Sequence, residues 1–374
     1  MKKGIYIAIE SEGMSLGVKK KIRNQIQALS KLFDIKYVGI RKKKVGTIKA
    51  IMSRMPLGSA EREYNIALED IAKEGLVDFF YFRGYALDRK YLWFISEIKK
   101  GNPQCRIVFE IPTYSNGLEL LKNKTMWPWF FKGLFYRRNL RKYVDRIATY
   151  SEDEYIYGIQ TIKIQNGINL SVFHKPEGSE NNINGKEKNI ELVAVASFQK
   201  AHGYDRVIRG LREYYRDKTG PKVFLNLVGD GSELPVYRKL ATKYGLSEYI
   251  KFHGRKDGEE LENIYKEMDI GMGTFASYKR GVFLSSSLKV REYLAHGLPI
   301  VSGMREDVFD EDCRYGLIYP NDNSTIDIKR IVNFYNSLME NRTATELKES
   351  VWEFAKQKVD INLTMLPIIE FILD

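Results

Sequence analysis

The chain has 374 residues, a formal net charge of +12, and 44% hydrophobic, 29% charged and 13% aromatic residues. That length exceeds one ordinary core and suits two domains. No apolar run approaches the ~20 residues of a membrane-spanning helix, and the excess of base favours anionic partners such as nucleic acid, nucleotides or a membrane surface. The two cysteines, Cys105 and Cys313, lie far apart and read as free thiols of a reducing compartment. The four histidines, His174, His202, His253 and His296, show no metal-ligand spacing.

The first apolar stretch ends at Glu10, too short for a secretory signal, and reads as a strand. Gly13 and Gly17 follow, between that strand and a helix whose start carries Lys19, Lys20 and Lys21. Cations there oppose the helix dipole. Either an anionic ligand meets them or they are solvated on an outer face. Strands are predicted at Ile5–Ile9, Ile35–Ile40, Val77–Phe82, Arg106–Ile111, Arg146–Tyr150 and Thr161–Ile164, with helices at Val18–Leu32, Ala60–Lys73 and Tyr91–Lys99. This alternation is the rhythm of a parallel sheet with crossover helices.

Two basic clusters interrupt it. Arg41, Lys42, Lys43 and Lys44 are followed by Lys49 and Arg54. The stretch Lys122–Arg146 mixes Arg137, Arg138 and Arg141 with Trp127, Trp129 and other aromatic residues. Such a mixture suits the headgroup zone of an anionic bilayer. A surface helix with its aromatic residues in the core is the alternative, and no recognition motif supports nucleic acid.

The polar run 177–188 reads as a linker. The predicted division is an N-terminal domain 1–176, a C-terminal domain 177–355 and a final helix 356–374 crossing back to the first domain. After the linker, strands are predicted at Ile190–Ala196, Val223–Val228, Tyr249–Phe252, Ile270–Thr274 and Pro299–Ser302. Helices are predicted at Tyr204–Tyr215, Glu233–Tyr244, Asp257–Lys266 and Ser287–His296, and the region from Thr325 onward reads as helical. The loop after the Ile190 strand holds Lys200 and His202. In LNLVGDGSE, Gly229 and Gly231 flank Asp230 in a strand–turn–helix; the third glycine of a dinucleotide fingerprint is missing. In SSSLKVREYLAHGLPIVSG, Ser285, Ser286 and Ser287 precede Leu288, Lys289, Arg291 and Glu292. Small residues at a helix start with cations nearby form an anion site, and a carboxylate one turn on suits a sugar hydroxyl.

The order and spacing of VGDGSEL, IKFHGR, DIGMGTF and SSLKVREYLAHGLPIVSG, with EIPTY and IQNGIN in the first half, resemble retaining family-4 GT-B glycosyltransferases (glycosyl transferases group 1) of bacterial capsule and exopolysaccharide synthesis. The resemblance implies an α/β fold of two Rossmann-like doubly wound domains facing an inter-domain cleft. The second domain would hold a nucleotide sugar, a UDP-sugar by the family's commoner usage. The first would hold the acceptor. It implies that Glu292 contacts the ribose and that Arg255 lies near the base. Gly17, His202, Gly229, Asp230, Gly231, Phe275 and the backbone of Ser286, Ser287 and Leu288 complete the expected donor set. The family's first motif glutamate falls on Leu284, and its basic pair on Ser197 and His202, which leaves Lys200 and Lys289 as the expected catalytic cations beside Glu292.

Glycosyl transfer needs negative charge stabilised on the departing diphosphate. The chain lacks an Asp-x-Asp metal motif in a suitable loop and offers cations instead, so no cofactor is expected. Residues 1–173 contain no histidine. An inverting enzyme commonly takes a general base from that domain, and histidine suits neutral pH. Retention is therefore expected, with a lipid-linked saccharide acceptor at the inner face of the cell membrane. Two other readings stay open: a sugar-nucleotide epimerase or hydrolase on the same fold, and a silent GT-B subunit scaffolding a partner transferase.

Overall fold

A computed structural model of the chain describes residues 1–10, 14, 16–43, 45–53, 55, 58–84, 87–111, 127, 136–176, 189–217, 220–310 and 313–374. The linker 177–188, Gly13, Lys44, Arg54, Trp129, the Pro-Thr-Tyr of EIPTY and residues 122–135 apart from Trp127 lie outside that set. The chain divides into two compact units, Met1–Gly167 with Ile361–Asp374, and Ile168–Asp360. The boundary therefore falls at Gly167, ahead of the expected 176, and the returning segment begins at Ile361 rather than 356.

The first unit is built on a seven-stranded sheet in the order β2-β1-β3-β4-β5-β7-β6. Its strands are β1 (Lys3–Glu10), β2 (Asp34–Arg41), β3 (Phe79–Arg83), β4 (Arg106–Ile111), β5 (Arg146–Thr149), β6 (Tyr155–Ile156) and β7 (Ile159–Lys163). All neighbours pair in parallel except β6 with β7. Every residue of β3 is buried, as a central parallel strand covered on both faces must be. The period of two sorts side chains between those faces. Ile5, Ile7, Phe80, Phe82, Ile107 and Phe109 point to one core with helices Tyr64–Ala72 and Arg89–Gly101. Tyr6, Ala8, Phe79, Tyr81 and Val108 point to the other, with helix Leu16–Leu29 and the terminal residues Ile361, Met365, Ile368 and Ile372.

The second unit has a six-stranded sheet, order β10-β9-β8-β11-β13-β15, and a two-stranded sheet of β12 with β14. Its strands are β8 (Ile190–Ser197), β9 (Val223–Asp230), β10 (Ile250–Gly254), β11 (Ile270–Met272), β12 (Leu284–Ser285), β13 (Ile300–Ser302), β14 (Arg305–Glu306) and β15 (Gly316–Ile318). All pair in parallel, and one continuous core holds the sheet to its helices. Helix Ala344–Lys358 starts with a capping box between Thr343 and Glu346, a pattern that satisfies two orphan backbone donors. The short strands β6, β12, β14 and β15 and the helix Thr47–Met52 add to the predicted elements.

Candidate functional site

The sheet of the second unit reverses its strand order between β8 and β11. Loops leaving two such strands diverge and open a crevice at the strands' carboxyl ends, where ligands of open α/β sheets bind. Here the two loops are tied at their bases. The Phe275 N–H donates to the His202 carbonyl at 2.8 Å and the Ala276 N–H to the Ala201 carbonyl at 3.1 Å. Buried Arg206 braces the second loop by donating to the carbonyls of Phe275, Pro320 and Ser324.

Lys289, in the first turn of helix Leu288–Ala295, reaches this crevice. Its ammonium donates to the Gly273 carbonyl at 3.1 Å and to the Tyr204 hydroxyl at 3.4 Å. One of the three ammonium N–H groups is left over. Burial pulls the pKa of Lys289 down, and the charge of Glu306 partly restores it. His202 faces the same place. Its Nδ1 accepts a hydrogen bond from the Gln199 N–H at 2.9 Å, so the proton sits on Nε2. Burial, then Lys289, then Arg280 depress its pKa to about 3. His202 is therefore a neutral donor, not the cation that the family pattern would place there.

Lys200 is exposed and has no protein partner among the described residues. Arg255, past the end of β10, is likewise exposed. Both can meet a ligand only by leaving water. Glu292 lies half-buried one turn beyond Lys289. Ser287 occupies the N-cap position, but its hydroxyl makes no bond to the helix. No serine side-chain cap is formed there, and Ser286 and Leu288 are also partly exposed.

Several expected roles change. Phe275 is fully buried, so it anchors its loop through backbone groups rather than lining the crevice. Arg291 is fully buried too. It pairs with Asp307 and donates to the Ser287 carbonyl at 3.3 Å, so it is a strut and not an anion ligand. Gly229 (φ 129°) and Gly231 (φ 150°) answer a packing need. A Cβ at either position would lie 2.0 Å from the Ala196 carbonyl or 2.3 Å from the Phe198 carbonyl. The exposed Asp230 carboxylate accepts from the Gly231 N–H at 2.7 Å. Gly17 belongs to the first unit, where it is exposed on helix Leu16–Leu29 with none of the described residues within 4 Å of an added Cβ.

Of the basic aromatic stretch, Trp127 is 42% exposed. Arg138 and Arg141 are exposed, while Arg137 lies half-buried over the Tyr157 ring at 5.1 Å. Tyr136, Leu140 and Val144 enter the core. The described aromatic tyrosines thus pack inward while two arginines face water.

Glu306 was missed by the sequence reading. It is fully buried on β14, opposite Ser285 of β12. Its Oε1 accepts from the Ser302 hydroxyl at 3.1 Å, and its Oε2 has no hydrogen-bond partner among the described residues. A two-residue strand leaves no periodic signal, which hid it.

A family model for glycosyl transferases group 1 matches residues 177–324. That match lies within the second unit. The chain is 30% identical over 166 residues to an alpha-monoglucosyldiacylglycerol synthase of Acholeplasma laidlawii, a match covering 42% of this chain and 39% of that relative. It therefore spans about two fifths of that relative's length. Among solved structures it is similar to sucrose-phosphate synthase of Thermosynechococcus elongatus, with a TM-score of 0.66 and 14% identity over 100% of this chain and 99% of that one. It is similar also to Anabaena HepE in complex with UDP and glucose, with a TM-score of 0.60 and 13% identity over 99% of each chain. These likenesses show the GT-B fold. The matched segment contains Lys200, His202, Gly229, Asp230, Gly231, Arg255, Lys289, Glu292 and Glu306.

Proposed function

We propose that this chain moves a sugar from a UDP-sugar held by the second unit to a lipid-linked saccharide held by the first, with retention of configuration. The reading rests on one observation above the others: a lysine ammonium fixed by the Gly273 carbonyl and the Tyr204 hydroxyl at the switch point of the sheet. A preorganised cation in a partly dry crevice stabilises developing anionic charge far better than one in water.

In this reaction the bond between the anomeric carbon and the β-phosphate oxygen breaks. The bond to the acceptor oxygen forms on the same face of the sugar. The acceptor proton passes to the departing phosphate, and UDP leaves. Lys289 neutralises that phosphate, His202 donates a hydrogen bond through Nε2–H, and Lys200 closes on the diphosphate from solvent. Glu292 holds the ribose. No divalent ion is required.

The group 1 match, and a relative named for a glucosylated diacylglycerol, support sugar transfer to a lipid-borne acceptor. Among the described residues no helix is long and apolar enough to cross a membrane. Contact with the inner leaflet, in surface polysaccharide assembly, would fall to Trp127, Arg138 and Arg141. The test is a panel of UDP- and GDP-sugars incubated with the chain, with and without EDTA. Slow hydrolysis of a UDP-sugar that survives EDTA is expected. Nucleotide binding without any hydrolysis or transfer would favour the scaffold reading, and an inverted anomeric centre in the product would overturn retention.

A further inference from the structure

We infer that Glu306 is a positioning residue, whose carboxylate supplies the counter-charge that keeps the Lys289 ammonium charged and seated at the crevice. The inference deepens the donor-site reading above and rests on it for its consequence, though not for its direct test.

The geometry brings the two groups to one stretch of backbone, Gly273–Thr274. Lys289 Nζ is 3.1 Å from the Gly273 carbonyl. The Ser302 hydroxyl donates to Glu306 Oε1 at 3.1 Å. That same hydroxyl lies 3.4 Å from the Thr274 carbonyl and 2.7 Å from where a Cβ on Gly273 would sit. Lys289 and Glu306 thus flank the Gly273–Thr274 segment that follows β11 through adjoining contacts. The backbone holds Glu306 there: β14 pairs with β12 in the register Ser285↔Glu306, and the Asp307 N–H donates to the Ser285 carbonyl at 2.9 Å.

A fully buried carboxylate oxygen with no donor is costly, and such atoms in folded proteins ask for a reason. A purely structural acid at this place would be closed off by a second donor. Among the described residues Glu306 has only Ser302 on its oxygens, with Lys289 and Arg291 acting through their charge. Arg291 is already committed to Asp307 and to the Ser287 carbonyl. Lys289 keeps one N–H uncommitted and carries no ion pair within 4 Å among the described residues. Its charge therefore depends on an acid held near it but not bonded to it. That separation matters: a direct salt bridge would occupy the N–H that a diphosphate needs.

The titratable and charged groups around the pair come from four elements. His202 and Tyr204 belong to the loop and helix after β8, and Arg280 to the turn Ser277–Arg280. Arg291 and Glu292 lie on the lysine's own helix, and Asp307 follows β14. His202 is neutral and Asp307 is taken by Arg291, which leaves Glu306 as the acid whose charge acts on Lys289.

The direct test is competitive acetylation of the full chain across pH, with the modified Lys289 peptide read by mass spectrometry. Glu306→Gln keeps the side-chain size and a partner for Ser302 but removes the charge. Its Lys289 midpoint is expected to fall by on the order of one pH unit, the usual effect of losing an opposite charge nearby. An unchanged midpoint in folded Glu306→Gln overturns the inference. Should that variant not fold, the reciprocal one decides. In Lys289→Met the infrared band of the protonated Glu306 carboxyl should persist to higher pH than in the unsubstituted chain, and a band that disappears at the same pH overturns the inference.

The consequence for ligand is read with UDP. Below about pH 6 the Glu306→Gln variant should bind UDP as the unsubstituted chain does; above about pH 8 it should bind about tenfold more weakly, as one unit of lost protonation implies. A loss of the same size at every pH would mark Glu306 as merely structural. A chain that binds no UDP at any pH refutes the donor-site reading, and the acetylation result still stands or falls by itself.

Discussion

Among the described residues each unit buries one glutamate among cations, and the two are treated in opposite ways. Glu110 of the first unit is fully enclosed and fully satisfied. It accepts from Lys21 at 3.1 Å, Arg83 at 2.8 Å, Tyr81 at 2.7 Å, Gln25 at 3.0 Å and Tyr150 at 3.2 Å. Burial pushes its carboxyl up, but Lys21, Arg83 and the hydrogen bonds outweigh that and hold it at about 2. Glu306 has one donor and one bare oxygen, and burial raises its pKa in spite of Arg291 and Lys289. A saturated network specifies one packing of helix Leu16–Leu29 on the sheet. An unsaturated one leaves a group whose charge can respond to what binds beside it. The difference separates a structural acid from a working one more clearly than burial does.

The largest expected effect breaks the first half of that comparison. Glu110→Gln keeps the shape and strands Lys21 and Arg83 as uncompensated buried cations, which should lower unfolding stability by about 3–5 kcal/mol. Urea denaturation followed by circular dichroism measures it. The pH dependence has a definite sign. A carboxyl depressed to about 2 contributes stability that is complete above its ordinary range and is lost as pH falls from there toward 2. The unsubstituted chain should weaken over that acid window, and Glu110→Gln should lack that part of the loss.

The second half breaks at Lys289. Lys289→Ala should reduce turnover by about 100-fold or more, in the range for removing one preorganised donor to a developing anion. Lys200→Ala should lose far less, because its exposed ammonium interacts through water. Full turnover in the double variant, or strict dependence on a divalent ion, would remove the cation-based reading. A stability control keeps the two effects apart. Gly229→Ala must place a Cβ 2.0 Å from the Ala196 carbonyl at a φ of 129°. It should cost about 1–3 kcal/mol of stability, seen as a lower melting temperature.

The contrast also explains what was legible in the chain. Strands such as Arg106–Ile111 were readable because apolar runs bounded by turn residues carry their own signal. The positions of Lys200 and His202 after β8, and of Lys289 at a helix start, were readable because each follows a strand or opens a helix. In the sequence Glu110 stands out only as part of EIPTY, and Lys21 only as one of three lysines, yet they meet across a residue separation that no local pattern encodes. Phe275 was assigned to ligand, and Arg291 counted among the cations near an anion site, because charge and neighbourhood, not burial, are visible in sequence; both are fully enclosed. Glu306 stayed hidden for the same reason reversed. Its position depends on β12 pairing with β14, two residues against two.

A smaller effect sharpens the comparison at the surface. Arg138 and Arg141 face water while Tyr136 and Leu140 beside them are core residues. Each basic side chain near an anionic bilayer contributes about 1 kcal/mol. Reversing both to glutamate should weaken sedimentation with phosphatidylserine vesicles by about tenfold or more and leave melting unchanged. Equal sedimentation would take the membrane out of the proposal.

The smallest effect concerns a glycine that, unlike Gly229, has no packing reason to be one. Gly17 sits inside the first turn of helix Leu16–Leu29 with nothing among the described residues within 4 Å of an added Cβ. Glycine in a helix costs up to about 0.5–1 kcal/mol relative to alanine, so Gly17→Ala should raise the melting temperature slightly. Its turnover then carries the information. A stabilised variant with reduced turnover places a ligand against this turn, since only a close approach would explain the weaker helix former. A stabilised variant with unchanged turnover removes Gly17 from the donor set and leaves that set wholly within the second unit.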